Sequence, residues 1–147
     1  MSRVKIAFPN QDPIYNYPIK IRVTDINYGN HLANDALVGF LHEARVAFLQ
    51  SEGYTEFNLE GVSLIQGDLM VKYQSEAFLA DVIDCEIYQD NFGKRSFDML
   101  YKLKCTRENI VVPIAEAKVG LVCFDYEARK TVDIPEAFRA KFELHLT

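Results

Sequence analysis

At 147 residues and 49% hydrophobic content, the chain fits one compact domain, 1–147, with no length to spare for a second core. Its formal charge of −5 comes from interspersed acids and bases, which argues against a nucleic-acid groove and against an electrostatic membrane anchor. A small molecule or another protein is the expected partner.

"YPIKIRVT", residues 17–24, sets Ile19, Ile21 and Val23 against Lys20, Arg22 and Thr24, the period-2 pattern of a half-buried strand. Asn27, Gly29 and Asn30 mark a turn, after which Asn34 or Asp35 is a suitable N-cap for a helix running to about Ser51 and closed by Gly53. Ala36, Leu37, Val38, Phe40, Leu41, Ala44, Val46, Ala47, Phe48 and Leu49 cover nearly the whole circumference of this helix, so it is predicted to be wrapped on most sides. From Val62 four β segments follow, roughly 62–74, 81–91, 95–105 and 114–125, and their succession predicts an antiparallel meander. "DNFGKR", residues 90–95, is a hairpin loop in which Gly93 is available for positive φ, and "RENI" is the polar turn joining the next pair. "DIPEAFRAKF" closes the chain with Pro135 near the first turn of a short helix. No repeat, low-complexity tract or linker interrupts this order, which predicts a single α+β domain.

Cys85, Cys105 and Cys123 are odd in number and far apart, without a CxxC pair, so reduced core thiols are expected rather than a disulfide framework or a zinc site. "MSRVKIAFPNQDPIY" holds no signal-like apolar core, and no apolar run approaches the roughly 20 residues that span a bilayer. A cytoplasmic protein without a membrane partner is expected.

A helix that is apolar all round, following one strand and preceding four long ones, is buried if the sheet curls about it. Asp25, Asn27, Asn30, His31, Leu32 and Asn34, followed by Glu43, Ala44 and Arg45, complete a pattern. With these residues the sequence resembles the 4-hydroxybenzoyl-CoA thioesterase-like branch of the hot-dog superfamily, whose members often read D-x-D-x-x-G-H-V-x-N before a helix ending in E-A-R. The likeness continues in order through "GVSLIQGDLMVKY" (61–73), Asp81, "GKRSF" and "VDIPEAFRAKF". It implies a hot-dog domain, a curled antiparallel sheet of about five strands around one long central helix. It also implies homodimers, or tetramers built from them, with sites between subunits that hydrolyse an acyl-CoA thioester. No cofactor is implied beyond the coenzyme A that the substrate brings. Asn27 stands where the family commonly has a second aspartate, the reacting carboxylate of several relatives, and an amide neither attacks nor deprotonates. Glu76 and Ala80 stand where many relatives carry a proline and a glycine.

Hydrolysing a thioester needs donors for the oxygen that gains charge and a group that attacks or activates water. The unpaired amides of a helix opening supply the first, here those around Asn34 to Leu37, with Asp35 among the substrate-binding residues. Asn34 is a cap, a site residue, or both. His31 either ties the turn or serves as acid and base. Asp25 bonds nearby backbone N–H groups or activates water held by Asn27 through its amide. Glu43 lies about 12 Å along the helix from Asp35, so it either serves the twin subunit's site or pairs across the interface. Asp68 marks a bulge near Gly67 or faces solvent. Lys72, Lys94 and Arg95 meet the phosphates of coenzyme A or are solvated surface charges. Two other functions share these residues: a hydrolytically silent acyl-CoA binder, and a hot-dog enoyl-CoA hydratase.

Overall fold

The computed structural model describes residues 3–143. In chain order the elements are β1 (Tyr15–Lys20), a 3-10 turn (Val23–Asp25), α1 (Asn34–Ser51), β2 (Ser63–Tyr73), β3 (Val82–Asp90), β4 (Ser96–Arg107), β5 (Ile110–Asp125), β6 (Lys130–Thr131) and α2 (Glu136–Phe142). The strands form one antiparallel sheet of order β1-β3-β4-β5-β2, with the short β6 on β5.

The alternation that marked β3, β4 and β5 has a plain cause in packing. Ile83, Cys85 and Ile87 of β3, Phe97, Met99 and Tyr101 of β4, and Ala117, Val119 and Leu121 of β5 all turn inward and are almost wholly buried. They meet Leu37, Phe40, Leu41, Ala44, Phe48 and Leu49 of α1, spaced three and four apart on one helix face. A sheet curled around one long helix is the hot-dog arrangement that the resemblance implies. All three cysteines are free and buried in this core, and burial pushes the Cys85 thiol up to about 12.

Several expectations are corrected. The four-strand meander holds only for β3-β4-β5, because β2 pairs with β5 and ends up at the sheet edge. The cause lies in residues 74–81: Gln74 and Ser75 donate backbone N–H to the Ile114 carbonyl, and Ala77 is buried, so the connection crosses the sheet end instead of turning back. The first strand stops at Lys20 rather than Thr24, because Arg22 N–H donates to the Asp25 carboxylate at 2.8 Å and winds the chain into the 3-10 turn. Helix α1 is not wrapped on most sides: Asp35, Gly39, His42 and Glu43 form an exposed outer stripe, since one curled sheet covers only one face. In the β3–β4 loop the left-handed residue is Asn91 (φ 55°), not Gly93, whose N–H is held by the Ser96 carbonyl.

The exit of α1 follows its sequence signal. Gly53 (φ 81°) donates to the Gln50 carbonyl and Tyr54 to the Leu49 carbonyl, the paired bonds of a Schellman ending. Gln66 and Asp68 flank the register shift at Gly67, and Asp68 Oδ1 accepts the Gly120 N–H at 3.0 Å, so the bulge expected there is present.

Candidate active site

The structure divides the predicted residues between the mouth of α1 and a groove along its outer face. At the mouth the chain arrives extended, because Leu32 N–H donates to the Ala77 carbonyl at 2.7 Å and Ala33 N–H to the Asp25 carbonyl at 2.9 Å. With both N–H groups held by acceptors outside the helix, Ala33 (φ −69°, ψ 145°) is the last extended residue and the N-cap instead of Asn34 or Asp35, so α1 opens one or two residues earlier than the side chains predict. Alanine has no side-chain acceptor, and the helix opens without a side-chain cap. Leu37 N–H already reaches the Ala33 carbonyl at 3.1 Å, which removes it from the predicted set of free donors. The N–H groups of Asn34, Asp35 and Ala36 have no acceptor among the described residues. Three aligned donors at the positive end of the helix dipole favour negative charge.

Beside this opening lies a cavity of about 240 Å³ bounded by His31, Asn34, Tyr73, Glu76 and Ile114 among others. The Tyr73 hydroxyl donates to the Asn34 carbonyl at 3.1 Å. Burial, helped by the Asp35 charge, raises that hydroxyl above its ordinary 10.0. His31 is tied to the turn through Nδ1, 3.3 Å from the Leu32 carbonyl, and at the same time forms part of the cavity wall. Asn27 stands next to it: its Oδ1 accepts the Gly29 N–H at 2.9 Å, and its own N–H donates to the His31 carbonyl at 3.0 Å. Gly29 lies close between them: a Cβ there would stand 3.0 Å from His31 Nε2 and 3.2 Å from Asn27 Oδ1, so one of the two side chains would have to shift.

Asp25 and Glu43 belong to the second place, a groove of about 470 Å³ on the outer face of α1 that also includes Arg22, Gly39 and Val46. Asp25 is 5% exposed and receives three bonds from Arg22: from the backbone N–H at 2.8 Å, from Nε at 3.2 Å and from Nη2 at 3.1 Å. The Arg22 guanidinium holds its carboxyl below the usual aspartate range, against the opposing effect of burial. Glu43 is exposed rather than enclosed by apolar helix, and makes no hydrogen bond or ion pair with the described residues.

The basic residues expected at the phosphates lie apart. Lys72 Nζ is 3.9 Å from Glu116 across the β2–β5 pair. Arg95 donates to Asp133 at 3.1 Å and to Thr131 at 3.3 Å, and Lys94 is exposed in the same loop. Their strand begins at Ser96, opposite Val122, and β5 covers about 26 Å between Val122 and Ile114 at the mouth. Within one chain this loop is at the far end of the sheet.

Sequence reading gave no role to Arg45, Tyr73 or Glu76 in this chemistry. Arg45 is 5% exposed, and Glu56 accepts from its Nε at 3.2 Å while His42 Nε2 stands 3.1 Å from the same oxygen. Its burial was signalled by its phase, one residue after Ala44 and three before Phe48. The places of Tyr73 and Glu76 had no such signal, because each meets the mouth through a contact about 40 residues away.

Comparison with known proteins agrees with the fold. A thioesterase superfamily protein from Jannaschia sp. CCS1 superposes with a TM-score of 0.77 at 20% identity, over 86% of this chain and 79% of that one. A 1,4-dihydroxy-2-naphthoyl-CoA thioesterase from Synechocystis gives 0.75 at 16% identity, over 86% and 93%. No curated protein matches the chain. The model of the thioesterase-like superfamily matches residues 21–142, a span from the end of the first strand to the last helix, and the chain belongs to that superfamily.

Proposed function

We propose that the chain is an acyl-CoA thioesterase whose oxyanion site is the uncapped mouth of α1. The observation that carries this reading is the trio of N–H groups on Asn34, Asp35 and Ala36, without an acceptor among the described residues, beside a cavity walled in part by His31. Charge developing on a thioester oxygen there meets donors fixed by the helix, which need no reorganisation during the reaction. Superfamily membership supplies the reaction class, and a structural neighbour named for an aromatic acyl-CoA supports the substrate class.

The working unit is a homodimer, from which a tetramer can be built. Strand β2 is one of the two outer strands of the sheet, β1 being the other, and Leu69, Met70 and Tyr73 on it are exposed at 38%, 37% and 50%. A long edge with apolar side chains on both faces suits pairing with a second copy of itself. In that dimer Glu43, which has no hydrogen-bond or ion-pair partner among the described residues, serves the twin's site as a carboxylate beside the substrate. Buried thiols and an acyl-CoA substrate fit a cytoplasmic location.

The test is thiol release from short, long and aromatic acyl-CoA esters. The expected result is turnover of at least one class, with a loss of at least about tenfold on Glu43→Gln or Asn27→Ala. No release from any class refutes hydrolysis. A second reading, an acyl-CoA binder without turnover, draws on Asn27, whose Oδ1 is occupied by Gly29 and whose other atom only donates. Calorimetric binding without thiol release identifies it.

A further inference from the structure

One wall of the mouth cavity is unused by the reading above: the connection from β2 to β3. Glu76 stands there with its side chain 64% exposed and its Oε1 3.9 Å from His31 Nε2. Its main chain is pinned, since the Glu76 carbonyl accepts from Arg107 Nη2 at 2.9 Å and the Ala77 carbonyl accepts from Leu32 N–H at 2.7 Å. The carboxylate itself has no other ion pair or hydrogen bond among the described residues.

The imidazole facing it has a defined orientation. Nδ1 is 3.3 Å from the Leu32 carbonyl, and a carbonyl oxygen only accepts, so in the neutral ring the proton belongs on Nδ1. Nε2 then keeps its lone pair, and it is the ring atom 3.9 Å from Glu76 Oε1. Gly29 keeps that edge open, because a Cβ there would stand 3.0 Å from Nε2. At 3.9 Å a lone pair and a carboxylate form no direct hydrogen bond. A water about 2.8 Å from both atoms fits between them at an angle of roughly 90°, close to the spread of its own two O–H bonds.

We propose that Glu76 is a water-positioning residue: together with His31 Nε2 it holds the water that attacks the thioester carbon, and its charge stabilises the imidazolium that results. The proposal rests on the thioesterase reading and deepens it. In the step, the water oxygen bonds to the carbonyl carbon while one water proton passes to His31 Nε2. The carbonyl oxygen takes the negative charge at the N–H groups of Asn34, Asp35 and Ala36. The C–S bond then breaks, the carbonyl re-forms, and the imidazolium returns its proton to the departing sulfur. Free acid and thiol leave, and His31 is neutral again. No oxidant, reductant or metal enters the balance.

The test is a charge series at position 76, read as kcat and KM in thiol release from the best acyl-CoA ester. Because the interaction is one of charge across about 4 Å of partly solvated space, the expected order of kcat is wild type, Glu76→Asp, Glu76→Gln, Glu76→Lys, with Gln down about fivefold and Lys about twentyfold. KM stays within about twofold, since the thioester is held elsewhere. At about 1 M salt, where the Debye length is about 3 Å, the gap between wild type and Glu76→Gln narrows, which a merely structural role would not produce. The exposed side chain makes folding of all three variants the expected outcome, checked by circular dichroism. Equal kcat across the series overturns the proposal, as does a loss confined to KM or one that does not follow charge. If the wild type releases no thiol at all, the thioesterase reading falls and takes this step with it, whereas release unaffected by residue 76 removes the step alone.

Discussion

Replacing Ala33 by aspartate should stabilise the protein and silence it at the same time. Ala33 already has the extended N-cap conformation (φ −69°, ψ 145°), so the new side chain is delivered without backbone movement. Its carboxylate would accept from the N–H of Asp35 or Ala36, the second and third residues of α1. Supplying a missing N-cap acceptor stabilises by about 1 kcal/mol, and a negative charge at the helix opening adds about 0.3–1 kcal/mol. For a chain of this length that corresponds to a rise in Tm of about 3–6 °C. The same bond occupies a donor that the thioester oxygen requires, and the fixed negative charge opposes the developing one. Losing one oxyanion donor costs about 2.7–4 kcal/mol of transition-state stabilisation, so kcat should fall by about 100- to 1,000-fold. Differential scanning calorimetry and thiol release measure the two effects on one sample. Ala33→Ser, a neutral cap, should show a smaller effect of the same two signs, and Ala33→Val, with no acceptor, should lose little activity. A variant with raised Tm and kcat within about twofold of wild type would refute the assignment of the α1 amides to the oxyanion.

Further outcomes follow from individual residues. Because Arg22 holds the Asp25 carboxyl below its ordinary 3.8, the stability it contributes is complete above that value and is lost as pH falls through the lower folded one; Asp25→Asn should flatten the acid limb of urea midpoint against pH. Ala80 is held at φ 70°, a left-handed conformation that costs an L side chain about 1–2 kcal/mol; Ala80→Gly should recover about 0.5–1 kcal/mol after glycine's extra chain entropy, and a lower urea midpoint would count against this. Met70→Lys places a charge on the free edge of β2 and should shift sedimentation toward monomer, whereas an unchanged coefficient argues against pairing through that edge. Asn27→Asp should raise kcat at least about tenfold, and no rise would mean that this position is not where a carboxylate reacts.

What was legible in the sequence was whatever local chemistry decides. Alternation in β3, β4 and β5 survives because each strand packs one face on the core, and Gly53 ends α1 because the positive φ of the Schellman turn suits glycine. The start of α1 differs from the expected one by one or two residues for the opposite reason. Asn34 and Asp35 have the better capping side chains, but the bonds from Leu32 to Ala77, distant in sequence, and from Ala33 to Asp25, across the preceding turn, fix the extended entry. The position of β2 was hidden in the same way: its own pattern says strand, and only the crossing of residues 74–81 says which neighbour it takes. Within the site, His31 and Asn34 were found together because eight residues of turn and helix start define the mouth. Glu76 was seen only as a residue in a proline's place, since nothing near it in the chain predicts its approach to His31.

The chemistry of position 27 connects these observations. Asn27 forms a side-chain turn in which Oδ1 accepts the Gly29 N–H, and an aspartate in the same conformer would make the same bond with one oxygen. Its second oxygen would then occupy the place of Nδ2, so the difference between the two side chains is confined to one atom that accepts or donates. With an amide there, a covalent attack by residue 27 is closed, and the atom can only hold an oxygen, either of water or of the thioester. Hydrolysis then requires a base elsewhere, and among the mouth residues His31, which bounds the cavity, keeps a lone pair on Nε2 once Nδ1 is committed to the Leu32 carbonyl. The amide at residue 27 and the carboxylate at residue 76 therefore bear on one step of the proposed route: the water proton that a carboxylate at 27 could have taken goes instead to the imidazole of His31, 3.9 Å from Glu76.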